Sequence, residues 1–225
     1  MKFDTPATTN PIDQLKVVGK PTSRIDGPLK TTGQAPYAYE HHKLVPNQAY
    51  GYVVTSAIAK GRISSMNLEE ANAAPGVLGI VTASNAGKLG KGKYNTAHLL
   101  GGPEIQHYHQ AIALVVAQTF EQARAAAQMV RVEYQRGNGH YDLAADLGAA
   151  KKPEGEAQDT ARGDFAAAFN GAPVKLDATY TTPDQSHAAM EPHTSMETWE
   201  GEKLIIWTSN QMIAWSVCDV AATLG

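Results

Sequence analysis

A continuous apolar segment followed by a capped, alanine-rich helix constrains the fold of this chain more than any other part of the sequence. Residues 111–117 (AIALVVA) have the length and the β-branched content of a buried strand. Thr119 is placed to cap the next helix, whose alanines favour helix to about Met129. Residues 130–134 (VRVEY) then return as a strand. This strand–helix–strand unit predicts a mixed α/β (α+β) fold.

Shorter patterns upstream predict further strands and one short helix. Residues 48–59 (QAYGYVVTSAIA) are rich in tyrosine and valine and favour a largely buried strand. Residues 62–82 predict a short strand, a helix that stops at Pro75-Gly76, and a second buried strand over residues 77–82.

Downstream, a segment without periodicity precedes a second group of elements. Residues 137–164 mix glycine, proline and charged residues, as surface linkers do. Residues 173–183 (PVKLDATYTTP) alternate apolar and polar positions and predict a strand. Residues 196–210 predict a hairpin that turns at Glu200-Gly201-Glu202. The last segment predicts an amphipathic helix with an apolar stripe formed by Ile213, Val217, Val220 and Leu224.

Charge and cysteine content exclude several classes of function. The net charge is -3 and the pI is about 6.2, so the sequence has no electrostatic footprint for nucleic acid. Cys218 is the one cysteine, which excludes a disulfide framework, a cysteine-ligated zinc and an iron–sulfur cluster held by this chain. No apolar run reaches membrane-spanning length, and residues 1–16 lack the apolar core of a signal peptide. We expect a soluble chain without an export signal of its own.

Two histidines and a glutamate in residues 186–196 (SHAAMEPHTSM) raise the question of a metal site. His187 and Glu191 would share a helix face, whereas Glu191 and His193 would share a strand face. Pro192 disfavours a helix interior, so no single regular element directs all three side chains at one ion. We expect a folded loop with hydrogen-bonded histidines and no metal ligand in this chain.

Two further motifs stop short of a functional site. Residues 87–94 (GKLGKGKY) nearly match the phosphate-binding pattern G-x4-G-K-[S/T], but Tyr94 stands where a small hydroxyl should reach magnesium. A glycine- and lysine-rich surface turn is therefore expected. His107 and His109 would share one face of an incoming strand and could suit a metal. No third ligand lies nearby in the sequence, so solvent or interface histidines are expected.

The remaining reactive side chains have ordinary structural explanations. Ser186 lies outside the G-x-S-x-G pattern of a hydrolase nucleophile. Cys218 adjoins Val217 of the apolar stripe and is expected to be half-buried. Four scattered carboxylates are expected to be structural: Asp26, Glu40, Glu191 and Glu197. Residue types and spacing alone leave the function open.

The order of the motifs, however, resembles one known family. Residues 24–40 (RIDGPLKTTGQAPYAYE) are similar to the opening of the molybdenum-binding large subunit of the xanthine dehydrogenase and aldehyde oxidase family. The residues that carry this similarity are Arg24, Asp26, Lys30, Thr32, Gly33, Ala35 and Tyr37. Residues 50–67, 74–83 and 109–134 continue in the family's order, so the similarity covers essentially the whole chain. It is closest to the bacterial periplasmic aldehyde oxidoreductases.

The resemblance implies a division of the chain into an arm, a domain, a linker and an incomplete second domain. The arm is 1–22, the α/β-hammerhead domain 23–135, the linker 136–170, and the beginning of a molybdopterin-binding domain 171–225. Glu191, in the segment MEPH, then resembles a framing residue that precedes the first strand near the cofactor, and not an ion ligand.

The same resemblance implies one cofactor-binding residue. WTSNQM (residues 207–212) matches the family's Thr/Ser-x-Gln segment, and by that match the side-chain amide of Gln211 hydrogen-bonds an oxo ligand of molybdenum. A neutral amide N–H can donate there without adding charge, and a strand-to-helix junction would hold it rigidly. No catalytic residue is expected in this chain, because the family's glycine-rich segment and its base glutamate would both follow Gly225.

The implied enzyme oxidises aldehydes to carboxylic acids with a molybdenum–molybdopterin cofactor in the cytosine dinucleotide form. Electrons would leave through an iron–sulfur subunit and an FAD subunit. The chain would be periplasmic through a signal-bearing partner subunit, or cytoplasmic. The sequence departs from the family at residues 57–60 (AIAK), where His-Ala-His is frequent, and at residues 107–110 (HYHQ), where Gln110 alone remains of Val-Gly-Gln.

A chain with one cofactor contact and no base is expected to be inactive alone. The alternative is a non-catalytic hammerhead that serves as an interaction or assembly module. The last helix distinguishes the two, because part of a larger subunit should expose its apolar stripe and a finished module should not.

Overall fold

The predicted strand–helix–strand unit is present and lies in the larger of two structural units. The computed structural model describes residues 15–94, 100, 102–152 and 160–225. The smaller unit comprises Met1–Gln48 and Met190–Gln211, and the larger unit comprises Ala49–Ala189 and Met212–Gly225. The domain boundaries expected from the sequence stay a prediction.

The described residues contain strands, α-helices and two short 3-10 helices. The strands are β1 (Tyr50–Thr55), β2 (Gly61–Asn67), β3 (Val77–Thr82), β4 (Glu104–Ile105), β5 (Ala111–Ala117), β6 (Arg131–Arg136), β7 (Ser195–Glu200) and β8 (Lys203–Thr208). The α-helices are α1 (Gly27–Thr31), α2 (Glu69–Asn72), α3 (Phe120–Met129), α4 (Phe165–Gly171) and α5 (Ile213–Leu224). The 3-10 helices are Ala38–His41 and Leu147–Ala149. None of the helices in these ranges is long and apolar enough to cross a bilayer.

Two antiparallel three-stranded sheets form the framework of the larger unit. One has the strand order β1-β5-β3 and the other has the order β4-β2-β6. The apolar strand β5 is central in its sheet and pairs with both neighbours. The returning strand β6 lies in the other sheet, beside β2. Helix α3 therefore connects two sheets and is not a crossover within one sheet.

Small side chains allow α3 to pack closely on the first sheet. Ala113 and Val115 of β5 and Ala126 of α3 are fully buried in one apolar cluster. A second buried cluster consists of Ile58, Ile105 and Ile112. Protein interiors are close-packed, so the alanines of α3 set its distance from the sheet.

Thr119 caps α3, as the sequence predicts. Its Oγ1 accepts the N–H of Gln122 at 3.2 Å, and Oε1 of Gln122 accepts the N–H of Thr119 at 3.1 Å. This reciprocal pair satisfies two donors that a helix start otherwise leaves without partners. The cap fixes where β5 ends and α3 begins.

The smaller unit is built around the predicted hairpin, which is confirmed as β7 and β8. Glu200 pairs with Lys203 across the turn, and Gly201 adopts a positive φ of 64°, a conformation that glycine tolerates without strain. The 3-10 helix Ala38–His41 contacts both strands, and the His41 ring stacks on Trp207 with centroids 5.4 Å apart. This stacking holds the last part of β8.

Two predicted strands are wrong. Residues 173–183 form neither helix nor strand, and the apolar side chains of the alternating pattern are exposed, including Leu176 and Tyr180. A strand needs a neighbouring edge, and no described strand pairs with this segment. His107 and His109 lie in a turn before β5 and not in a strand, because His109 has a positive φ of 61° that breaks the extended run.

Candidate cofactor-contact site

Gln211 lies at the predicted junction between a strand and a helix. β8 ends at Thr208 and α5 begins at Ile213, with Gln211 in the bend between them. Its side chain is exposed. A primary amide carries two N–H donors and no charge. Position and chemistry therefore fit a residue that donates a hydrogen bond to an oxo group of a bound cofactor.

The strand that precedes Gln211 is fixed at its end. Oγ of Ser195 and Oγ1 of Thr208 lie 2.9 Å apart and join the first residue of β7 to the last residue of β8. Trp207, one residue earlier, stacks on His41 with an angle of 17° between the rings. These contacts hold the strand side of the junction within the smaller unit.

The helix that follows Gln211 is held by residues 87–94 of the larger unit. The carboxylate of Asp219 accepts the backbone N–H of Lys93 at 2.8 Å and that of Tyr94 at 2.9 Å. The N–H of Gly90 donates to the carbonyl oxygen of Thr223 at 2.9 Å. The segment that nearly matches a phosphate-binding loop thus directs two amides at a carboxylate of its own chain.

Two glycines make this approach possible. A Cβ on Gly90 would overlap the carbonyl oxygen of Ala222, and a Cβ on Gly92 would overlap the carboxyl group of Asp219. Gly90 and Gly92 are therefore required because the backbone touches α5 at these two positions, a reason that does not involve a nucleotide. Residues 87–94 form an irregular segment that packs on α5, so the free surface turn expected from the sequence is wrong.

The residues of the SHAAMEPHTSM segment do not converge. His187 and His193 are exposed, and both lie outside helices and strands. Oε1 of Glu191 accepts the backbone N–H of Ala38 at 3.1 Å and so ties the residues before β7 to the 3-10 helix. This contact fits the framing role that the resemblance implies. Within residues 15–94, 100, 102–152 and 160–225, no group of three or more His, Cys, Asp or Glu side chains could hold a metal ion.

Two of the other carboxylates have local structural partners, and a third lies on a strand. Asp26 pairs with Lys30 at 2.6 Å, and the hydrogen bond from Lys30 lowers the pKa of Asp26 below its usual value. Glu40 accepts the N–H of Tyr37 at 2.8 Å in a capping box. Glu197 is exposed on β7, opposite Ile206. Among the described residues, the structure records no contact between Gln211 and Asp26, Glu40 or Glu197.

The sequence also led to expectations for His107, His109 and Cys218. His107 and His109 are exposed, as expected. The expectation of a half-buried Cys218 is wrong, because its side chain is exposed on α5. Sequence reasoning did not identify Asp219 as a functional position. Its partners are more than a hundred residues away in the chain, so no local pattern could have indicated them.

Comparison with known proteins relates both parts of the chain to molybdenum enzymes. Residues 32–138 match the model of the aldehyde oxidase and xanthine dehydrogenase a/b hammerhead domain. Residues 149–225 match the molybdopterin cofactor-binding domain.

Individual relatives agree with these matches. The aldehyde oxidoreductase molybdenum-binding subunit PaoC of Escherichia coli K12 is 64% identical over 224 residues, which cover 100% of this chain and 31% of the relative. The putative xanthine dehydrogenase molybdenum-binding subunit XdhA of the same strain is 29% identical, covering 84% of this chain and 27% of the relative. The crystal structure of quinoline 2-oxidoreductase from Pseudomonas putida 86 has a TM-score of 0.65 at 22% identity, covering 84% of this chain and 26% of the other, and shows the same fold. The chain thus spans between about a quarter and a third of the length of these relatives.

Proposed function

This chain belongs to the aldehyde oxidase and xanthine dehydrogenase family, and from that membership we propose that it is the amino-terminal part of a molybdenum-binding subunit that oxidises aldehydes to carboxylic acids. The observation that carries the proposal is the 64% identity across the chain to an aldehyde oxidoreductase subunit. The identity to a xanthine dehydrogenase subunit is 29%, which favours an aldehyde over a purine as substrate.

The proposed role of Gln211 is to donate a side-chain N–H to an oxo ligand of the molybdenum cofactor. The bound cofactor would supply the two-electron redox chemistry, and this chain would orient it. Because the amide is neutral, it can stabilise an oxygen with partial negative charge without changing the net charge of the site. The hydrogen bond between Ser195 and Thr208 fixes the end of β8, three residues before Gln211, and so restricts the strand side of this donor.

The proposed cofactor is molybdopterin in the cytosine dinucleotide form, and the proposed partners are an iron–sulfur subunit and an FAD subunit. Electrons from the aldehyde must leave the molybdenum site, and an iron–sulfur cluster needs several cysteine ligands. This chain has one cysteine, so it cannot hold such a cluster. We place the assembly in the periplasm, reached with a signal-bearing partner subunit, and the cytoplasm is the alternative.

The test uses the native full-length polypeptide that contains these residues. Its intact mass, its molybdenum content and its oxidation of aldehydes and of xanthine with a dye acceptor should be measured together. We expect a mass well above 24.0 kDa, bound molybdenum, and formation of the carboxylic acid from the aldehyde. Oxidation of xanthine without oxidation of aldehydes would contradict the substrate class. A native mass of 24.0 kDa without molybdenum would favour the non-catalytic module.

A variant series tests the cofactor contact. Gln211→Ala should lower kcat/KM by roughly 10- to 100-fold, the usual cost of losing a hydrogen bond to a metal's ligand. Gln211→Glu keeps the size but replaces the donor by an acceptor, so it should be at least as harmful. Gln128→Ala, which removes an exposed glutamine side chain of α3, is the matched control and should leave kcat/KM unchanged.

A further inference from the structure

We propose that Asp219 is a positioning residue: it fixes α5 to residues 87–94 within the larger unit, and α5 begins two residues after Gln211 in the chain. The interaction is called the Asp219 clamp and consists of the Asp219 carboxylate and the backbone N–H groups of Lys93 and Tyr94. The inference rests on the proposed function, since the benefit of the clamp is the placement of the cofactor contact.

The clamp is specific in its geometry. Both carboxylate oxygens are used, one for each of two consecutive amides, at 2.8 and 2.9 Å. Hydrogen bonds from amides to an ionised carboxylate are among the stronger ones in proteins. Gly90 adds a backbone hydrogen bond to Thr223, and the Tyr94 ring stacks on Trp215 with centroids 4.3 Å apart. Three kinds of contact therefore join one short segment to one helix.

Helix α5 contacts residues 87–94 through the side opposite to its apolar stripe. At 100° per residue, Trp215, Asp219 and Ala222 lie on the side of α5 opposite to Ile213 and Val217. Ile213 and Val217 are exposed, whereas Asp219 is partly buried. Three of the four stripe residues, Ile213, Val217 and Leu224, are exposed, and Val220 is partly buried. The contacts with residues 87–94 that the structure records on the other side include the Asp219 hydrogen bonds and the Tyr94–Trp215 stacking.

The clamp also links the two regions matched by different family models. Lys93 and Tyr94 lie in the residues matched by the hammerhead model, and Asp219 lies in those matched by the molybdopterin cofactor-binding model. α5 begins at Ile213, directly after Gln211 and Met212. The start of the clamped helix and the cofactor contact are therefore separated in the chain by one residue, Met212. Displacement of about 1 Å at a catalytic group can cost on the order of 100-fold in rate.

The first test asks whether the clamp holds residues 87–94, with tryptic digestion of the full-length subunit as the readout. Lys88, Lys91 and Lys93 are exposed in this segment and give trypsin three sites. Asp219→Ala removes both acceptors and should raise the cleavage rate at these lysines by about tenfold, because proteolysis follows the population of the open form. Asp219→Asn keeps one acceptor oxygen and should have a smaller effect. Glu121→Gln, which neutralises an exposed carboxylate on α3, should have none.

A loop-side variant makes the test independent of Asp219. Gly90→Ala places a methyl group against the carbonyl oxygen of Ala222 and should open the clamp while leaving the carboxylate in place. Gly148→Ala is its matched control, because a Cβ on Gly148 meets nothing within 4 Å. Gly90→Ala should raise cleavage at the same lysines, and Gly148→Ala should not.

The second test asks whether the clamp positions Gln211. The electron paramagnetic resonance spectrum of molybdenum in the full-length holoenzyme reports the surroundings of the metal and does not depend on turnover. We expect Gln211→Ala to change this spectrum, and Asp219→Ala and Gly90→Ala to change it in the same sense at equal molybdenum content. Asp219→Asn should restore part of the original signal.

The outcomes separate the two proposals. Unchanged cleavage in Asp219→Ala and Gly90→Ala would overturn the clamp. Faster cleavage with an unchanged molybdenum spectrum would show that the clamp holds only the loop and would overturn the positioning role. An unchanged spectrum in Gln211→Ala would overturn the cofactor contact, and the positioning role with it, while the cleavage rates would still report on the clamp.

Discussion

The rings of Tyr94 and Trp215 stack with their centroids 4.3 Å apart and their planes 12° apart. Trp215 lies on the side of α5 that also carries Asp219, so an aromatic contact and two charge-assisted hydrogen bonds hold the same helix face. The apolar stripe points away from this face. α5 is therefore an amphipathic helix attached by its less apolar side, and Ile213, Val217 and Leu224 on its other side are exposed.

The accessible stripe should bind hydrophobic dyes in this chain. Ile213 and Val217 are 71% and 64% exposed, and adjacent exposed apolar residues of this kind bind dyes or self-associate. The double change Ile213→Ser and Val217→Ser should lower the fluorescence of a bound hydrophobic dye. Ala214→Ser, on the same helix but with a small side chain, should leave it unchanged. Equal dye binding by all three proteins would show that the stripe is covered.

The close packing of α3 on its sheet should not tolerate a larger side chain. Ala126 is fully buried against β5, whereas Ala125 is exposed on the same helix. Ala126→Leu should lower the free energy of unfolding by about 1–3 kcal/mol, because the added atoms have no space without strain. Ala125→Leu makes the same alanine-to-leucine change at an exposed position. It should change the free energy of unfolding by less than about 0.5 kcal/mol. Denaturant unfolding of both variants measures the difference.

The cap of α3 should contribute measurably to stability. Thr119→Ala removes the oxygen that accepts the N–H of Gln122 and should cost about 1 kcal/mol in the free energy of unfolding. Thr119→Ser retains the acceptor and should cost much less. Thr179→Ala, at an exposed residue outside helices and strands, is the control and should be near neutral. A loss of the same size in Thr119→Ala and Thr179→Ala would show that the cap contributes nothing.

The parts of the fold that could be predicted are those encoded by neighbouring residues. The strand β5, the cap at Thr119, the hairpin turn at Gly201 and the helix α5 each depend on side chains within a few positions of one another. Short-range periodicity and capping are sufficient for such elements. Resemblance to a family, and not periodicity, indicated Gln211, because a lone glutamine carries no distinguishing local pattern.

The parts that could not be predicted depend on distant residues. Residues 173–183 have the alternation of a strand, but alternation records only which side chains share a face, and pairing requires another edge. The pairing of Asp219 with the amides of Lys93 and Tyr94 joins residues more than a hundred positions apart. An aspartate within a helix is common. The role proposed for Asp219 could therefore be inferred only from its contacts with Lys93 and Tyr94.

Asp26 should titrate below an ordinary aspartate. The hydrogen bond from Lys30, with the charges of Lys30 and Arg24, lowers its pKa below 3.8. Because the folded-state pKa is depressed, the stabilisation is present above the unfolded-state pKa and is lost as the pH falls through the folded-state value. Lys30→Met should raise the pKa of Asp26 towards 3.8, which NMR titration of its carboxyl carbon would measure. Lys20→Met, which removes a lysine charge elsewhere, is the control. An Asp26 pKa that does not respond to Lys30→Met would contradict this pairing.

The purified 225-residue chain should not reduce a dye in the presence of aldehydes. It holds one candidate cofactor contact, Gln211, and the family resemblance places the base glutamate outside these residues. Without a base, proton transfer from the reacting group loses a contribution of about 10²–10⁴-fold, even if some cofactor were bound. The measurement compares the chain with the full-length subunit in its native complex at equal concentration, with molybdenum content determined for both. Aldehyde-dependent dye reduction by the chain at a rate comparable to that of the full subunit would mean that these residues contain a base. Glu191 and Glu197, two carboxylates of the smaller unit that precede Gln211 in the sequence, would then be the first to change to glutamine.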